Sequence, residues 1–190
     1  MEHILFINAC VRPNSRTLSL AESVLSHLKG EVTSLRLEHE SLPVLDREGL
    51  ELRETLVAAE DFGHPMLAYA RQFAAADTVV IAAPYWDLMF PARLKTYLEA
   101  ITVSGVTFRY NEGRPYSLCR AKRLIYVTTA GGPIGEFDFG FRYVEALARG
   151  FFGISDVLCV RAEGLDIDGA DVPAILDRAR NEAAAALKNF

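Results

Sequence analysis

Asp77 to Ala83 reads Asp-Thr-Val-Val-Ile-Ala-Ala, an apolar run without a polar face after Thr78. A strand of this kind must be covered on both sides, the situation of an inner strand in a parallel sheet flanked by helices. Ile4 to Ala9 and Arg123 to Thr129 are further buried-strand candidates, each ending in turn residues. Between these runs lie segments with helical periodicity. After Ser15, apolar positions recur at Leu18, Ala21, Val24, Leu25 and Leu28, and Gly30 stops the pattern. Ser19 and Glu22 offer a competing capping box one turn later than Ser15. Pro65 suits the first turn of a helix running to Ala75, and Pro91 opens another whose Leu94, Tyr97, Leu98 and Ile101 share a face.

The remaining elements complete an alternation. Val32 to Leu37 is a weaker alternating strand that belongs near a sheet edge, and Asp156 to Ala162 is a final strand. Phe139 to Phe151 and the alanine-rich Pro173 to Leu187 read as helices, while Gly105 to Tyr110 is a short extended piece. The charged stretch from Glu40 to Gly63, broken by Pro43 and Gly49, has room for one short helix around Leu52 to Ala59. Strands alternating with helices predict an α/β fold, a doubly wound five-stranded parallel sheet of order 2-1-3-4-5. No Pro/Gly/Ser-rich linker divides the 190 residues, so residues 1–190 are expected to form one domain.

Composition narrows the chemistry. A net charge of −5, from 25 acidic and 20 basic side chains, argues against general affinity for nucleic acid or an anionic membrane, so any anion site is local. Cys10, Cys119 and Cys159 lack Cys-x-x-Cys spacing and predict reduced thiols in a cytoplasmic protein. The first apolar run follows no cationic segment and is too short to span a bilayer, so a soluble, intracellular protein is expected. The four histidines never fall at metal-ligand spacing. Asp166, Asp168 and Asp171 depart from a calcium-loop pattern because Gly169 comes too early, and they predict a solvated turn with a helix cap. No Gly-x-Gly-x-x-Gly follows the first strand, which speaks against a Rossmann dinucleotide domain.

Three loops follow the three best strands: Asn8 to Thr17, Pro84 to Pro91, and Thr129 to Gly135. In a doubly wound sheet all three emerge on one edge and converge on one ligand. The first carries Arg12, Ser15, Arg16 and Thr17 at a helix start, where free N–H groups and the helix dipole favour an anion such as phosphate. A plain N-cap with two solvated arginines is the simpler alternative there. The second is aromatic, with Pro84, Tyr85, Trp86, Asp87 and Leu88; the third, with Thr129, Ala130, Gly131 and Gly132, lets backbone amides approach a ligand closely. A flat heteroaromatic ring with a phosphate tail, such as FMN, matches that division of labour.

These residues carry a resemblance. Val79 to Tyr85, Leu94-Lys95-Thr96-Tyr97, Gly105 to Tyr110 and Phe151-Phe152-Gly153-Ile154 resemble the flavodoxin-like NAD(P)H:quinone oxidoreductases, specifically the FMN-dependent NADH-azoreductase family. The resemblance implies an FMN enzyme that takes hydride from NAD(P)H and reduces a quinone or another flat electrophile. It assigns the phosphate to Ser15, Arg16 and Thr17 and the ring to the Pro84–Leu88 and Thr129–Gly132 loops; the guanidinium of Arg12 in the same turn is a further phosphate helper on its chemistry alone. It further implies a homodimer in which Phe108 and Phe151 approach the substrate plane across the interface. Asp87 stands where the family often has Asn, and its carboxylate is expected to point away from the ring or to bond backbone N–H groups. Ala130 replaces a common arginine, and Asn8-Ala9-Cys10 replaces the first serine of the phosphate turn. These departures bear on azo-compound reduction more than on FMN binding.

Two rivals share these residues. Cys10 and Arg16 are separated by five residues and followed by Thr17, the spacing of cysteine-dependent low-molecular-weight phosphatases, although the chain lacks the Asp-Pro pair of their general acid. A non-catalytic FMN-binding protein would use the same loops without admitting a nicotinamide.

Overall fold

A computed structural model describes residues 1–188 and 190 of the chain. In chain order it contains β1 (His3–Asn8), α1 (Arg16–Leu25), β2 (Glu31–Arg36), α2 (Arg47–Ala58), α3 (Ala68–Ala75), β3 (Thr78–Ala82) and α4 (Ala92–Ile101). There follow β4 (Phe108–Asn111), β5 (Arg114–Ser117), β6 (Arg123–Thr129), α5 (Phe139–Gly150), β7 (Asp156–Ala162) and α6 (Val172–Leu187). Five strands form a parallel sheet in the order β2-β1-β3-β6-β7. This is the expected order 2-1-3-4-5 once the β4–β5 hairpin, which stands apart as an antiparallel pair, is left out of the numbering.

The inner strands are buried on both faces, and their side chains sort by alternation into two cores. Leu5, Ile7, Val79, Ile81, Leu124 and Tyr126 pack with Phe73 of α3, Leu94 and Tyr97 of α4 and Val144 of α5. Ile4, Phe6, Val80, Ala82, Ile125 and Val127 pack on the other side with Leu20 and Val24 of α1 and Leu176 and Ala179 of α6. A smaller cluster of Leu56, Leu67, Ala70 and Val103 anchors α2. The weak alternation of β2 fits its place at the sheet edge, where Leu35 is its one buried residue.

Three local expectations are corrected. Helix α2 begins at Arg47 instead of Leu52 because Asp46 caps it, accepting from the Gly49 N–H at 2.9 Å. Gly49 is thus part of the helix start, and a Cβ there would lie 2.4 Å from the Val44 carbonyl oxygen. The extended piece after Gly105 continues into a hairpin, which turns at Glu112 and Gly113 with φ of 48° and 78°. Pro115 and the charged turn hide its second strand from a periodicity reading. Pro65 begins a 3-10 turn, Pro65–Leu67, before α3 proper. The choice at α1 resolves in favour of Ser15, whose side chain accepts from Leu18 N–H at 3.2 Å.

Asp77 closes the N-terminal end of the sheet. Its carboxylate accepts from the His3 N–H at 2.9 Å and from Arg120 at 2.8 Å, while its own N–H donates to His3 O at 2.9 Å. The His3 N–H, against partial burial and with help from Arg120, holds this carboxyl below the usual range. A depressed folded-state pKa contributes stability that is present above the unfolded-state value of about 4 and is lost as pH falls through the folded one. Asp77→Asn is therefore expected to lower the melting temperature at pH 7, and the gap from the parent chain is expected to close as pH falls below the usual carboxylate range. Melting curves across that range check both statements.

Candidate active site

The backbone ladder of the sheet runs past its strands and places three loops on one edge. Ala9 N–H donates to Ala82 O at 2.8 Å, Ala83 N–H to Val127 O at 2.9 Å, Tyr85 N–H to Thr129 O at 3.0 Å and Ala130 N–H to Ala162 O at 2.9 Å. The loops after β1, β3 and β6 thereby enclose a cavity of about 250 Å³, joined by the segment after β7. From the first loop Arg12, Ser15, Arg16 and Thr17 line it; from the second, Pro84, Tyr85 and Trp86; from the third, Thr129, Ala130 and Gly131.

Ser15 ends the first loop in an extended conformation with φ −68° and ψ 120°, which turns the chain into α1. Among the described residues the N–H groups of Arg16 and Thr17 donate to no protein acceptor, as expected of the first helical turn. They leave a positive helix end open to the cavity. The Thr17 hydroxyl, in a residue only 1% exposed, meets the Thr129 hydroxyl at 2.6 Å. One of the two donates to the other, which leaves a single O–H free and ties the first loop to the third. Arg16 Nη1 donates to Asp166 Oδ1 at 2.8 Å and to the Leu165 carbonyl at 3.1 Å. Arg12 is exposed on the cavity rim.

The second loop contains a tight turn closed by Trp86 N–H to Met89 O at 3.0 Å and Met89 N–H to Trp86 O at 2.8 Å. Asp87 and Leu88 at its tip have φ of 48° and 67°, the left-handed region that non-glycine residues adopt at a cost of about 1 kcal/mol or more each. The Tyr85 hydroxyl donates to Phe137 O at 3.1 Å. Burial, followed by the carboxylates of Asp138 and Glu163, pushes this phenol up, so it remains protonated at neutral pH. Beneath the third loop, Arg161 pairs with Asp138 at 3.1 Å and with Glu163 at 3.6 Å, and Glu163 Oε2 accepts from Ile134 N–H at 3.0 Å.

Several sequence expectations fall outside the cavity. Asp87, Leu88 and Gly132 do not line it. Asp87 is exposed and its side chain bonds no backbone N–H among the described residues, because the turn is closed by backbone atoms instead. Phe108 and Phe151 pack edge to face with centroids 4.9 Å apart, away from the cavity of this chain. Conversely, Val11, Asn14, Leu165 and Asp166 line the cavity without having been singled out for it. Asp171 does cap a helix, accepting from Ala174 N–H at 3.0 Å, but Asp166 in the same acidic cluster turns to Arg16. Only a contact spanning 150 residues reveals that role.

The thiol reading does not survive the geometry. Cys10 is 4% exposed within the core under α1 and α6, and its Sγ lies 3.8 Å from Ala82 O. Burial pushes the thiol up to about 11, opposite to what a nucleophilic cysteine requires. Among the described residues no His/Cys/Asp/Glu group is suited to holding a metal ion.

Comparisons with known proteins agree with this arrangement. A family model described as flavodoxin-like fold matches residues 2–187. The chain is 36% identical to an FMN-dependent NADH:quinone oxidoreductase of Clostridium acetobutylicum over 202 residues, covering 100% of both. It is 35% identical to an FMN-dependent NADH:quinone oxidoreductase of Clostridium beijerinckii over 199 residues, again with 100% of both covered. Among solved structures, azoreductase from Bacillus anthracis str. Sterne superposes with a TM-score of 0.83 at 27% identity, covering 100% of both chains. Three loops on one sheet edge, a capped helix start facing an aromatic turn, and relatives matched end to end place this chain in the flavodoxin-like-fold family, among the FMN-dependent NADH:quinone oxidoreductases.

Proposed function

We propose that the chain is an FMN-dependent oxidoreductase that takes electrons from NADH and passes them to a quinone or another flat electrophile. The single observation that carries this reading is the cavity itself, which sets an open helix start and a guanidinium beside an aromatic turn and a glycine loop. That donor set fits FMN. The Arg16 and Thr17 N–H groups, the Ser15 hydroxyl and the Arg16 and Arg12 side chains suit its phosphate. Pro84, Tyr85 and Trp86 offer flat apolar surface to its ring. The Gly131 N–H donates to no protein acceptor among the described residues and suits the polar edge. FMN, when bound, supplies the two-electron chemistry.

The protein's share is to bind and orient. A neutral Tyr85, anchored through its hydroxyl to Phe137, adds no charge beside the ring. The Arg161 pairings and the Glu163 bond to Ile134 hold the glycine loop in place, so its amides need no rearrangement when negative charge develops near them. No side-chain general base is assigned. The reading includes a single-domain, cytoplasmic homodimer, with NADPH as a second donor. The paired rings of Phe108 and Phe151 would then serve the partner's cavity; exposed Tyr110 and Tyr116 on the adjoining hairpin supply apolar surface for such an interface.

Arg16→Ala is expected to weaken FMN binding about tenfold or more, through loss of a charge-assisted contact of about 1.5–3 kcal/mol. Fluorescence titration measures it, and unchanged affinity removes Arg16 from the site. Because donor and acceptor would occupy one cavity in turn, initial rates against NADH at several quinone concentrations should give parallel double-reciprocal lines. Intersecting lines contradict a shared site. Cys10→Ala should leave quinone reduction unchanged, and the parent protein should hydrolyse no aryl phosphate; thiol-dependent phosphate release would favour the phosphatase instead.

A further inference from the structure

Asp166 lines the cavity beside the open helix start and the Arg16 guanidinium, both of which attract an anion. Its position is built from several directions. The Asp166 N–H donates to Gly131 O at 2.9 Å, the Leu165 N–H to Ala130 O at 3.2 Å, and Leu165 is 3% exposed, so the backbone carrying the carboxylate is pinned to the third loop. The carboxylate occupies the space a side chain would take at residue 131: a Cβ on Gly131 would lie 2.4 Å from Asp166 Oδ2. Gly131 therefore makes room for Asp166 as well as for a ligand. The other oxygen accepts from Arg16, whose Nη1 has both hydrogens engaged by Asp166 and the Leu165 carbonyl. Among the described residues Nε and Nη2 of Arg16 have no acceptor.

Taking the FMN reading as its premise, we infer that Asp166 is a specificity-determining residue whose carboxylate competes with the ligand's phosphate for Arg16. The phosphate meets only the Nε–Nη2 edge of a guanidinium whose charge is already matched, and it does so beside a second anion. The Asp166 and Arg16 side chains are 67% and 42% exposed, so water screens both the pairing and the repulsion and the effect is moderate. The consequence is a cofactor that exchanges with solution, in a site that favours FMN over riboflavin by less than its helix start and arginines would otherwise allow.

The full-length protein, freed of copurified flavin, tests this when FMN and riboflavin are titrated separately into the parent chain and Asp166→Asn, with quenching of flavin fluorescence as the readout. The variant is expected to bind FMN about three- to tenfold tighter, with a steeper weakening by salt, and to bind riboflavin with unchanged affinity. Equal melting temperatures of the two flavin-free chains confirm that folding is not what changed. FMN affinity that stays the same or falls in the variant overturns the inference, since Asp166 would then serve only to hold Arg16 in place. An equal gain for riboflavin also overturns it, because the carboxylate would then act on the ring or ribityl chain. Failure of the parent chain to bind either flavin would be a different result, refuting the proposed function itself.

Discussion

Everything at the site depends on a hydrogen-bond ladder that does not stop where the strands do. Ala9, Ala83, Tyr85 and Ala130 lie beyond the ends of their strands, yet each backbone N–H still donates to the neighbouring strand. Parallel strands in register, with Asn8 opposite Ala82 and Ala82 opposite Val127, deliver their loops at one height. The loops need no strong mutual attraction to meet. They are carried to the meeting point by a sheet whose two cores bury Ile81, Val79, Ile125 and Val127 completely.

What the ladder leaves open is locked by short polar links, each within reach of a buried or half-buried group. The Thr17–Thr129 hydroxyl pair joins the helix start to the glycine loop. Asp138, 7% exposed, divides its carboxylate between the Phe141 N–H and Arg161, which keeps a nearly buried charge matched and begins α5 at the same time. The same arrangement explains how a chain with a net charge of −5 keeps an anion-attracting pocket. Its cations there are local and oriented, while most acidic side chains lie elsewhere.

The sheet order was legible from the sequence, the inner strands because buried parallel strands leave uninterrupted apolar runs and β2 from its weak alternation; the edges of β6 and β7 match to the residue. The donors at Ser15 to Thr17 and the rings of Tyr85 and Trp86 were legible because helix starts and strand ends are local patterns. What escaped was set by distance in the chain. Asp166 gains its meaning from Arg16, 150 residues away, and the Leu165–Asp166 segment from backbone bonds to residues 130 and 131. The second hairpin strand escaped for a local reason, since Arg114 and Pro115 disguise it. Asp87 and Leu88 were placed correctly along the chain but not in space, because nothing in their identity foretells two successive left-handed residues.

That tip has an implication for how such a protein diversifies. The Trp86–Met89 closure is made by main-chain atoms alone, so the loop's path is independent of which groups project from its apex. Two outward-facing positions can therefore be exchanged by drift or by engineering while the scaffold behind them stays put, which makes the apex a variable tip on a fixed frame. The one limit is stereochemical: branched replacements, which resist a positive φ most strongly, are disfavoured there, whereas asparagine and glycine enter freely.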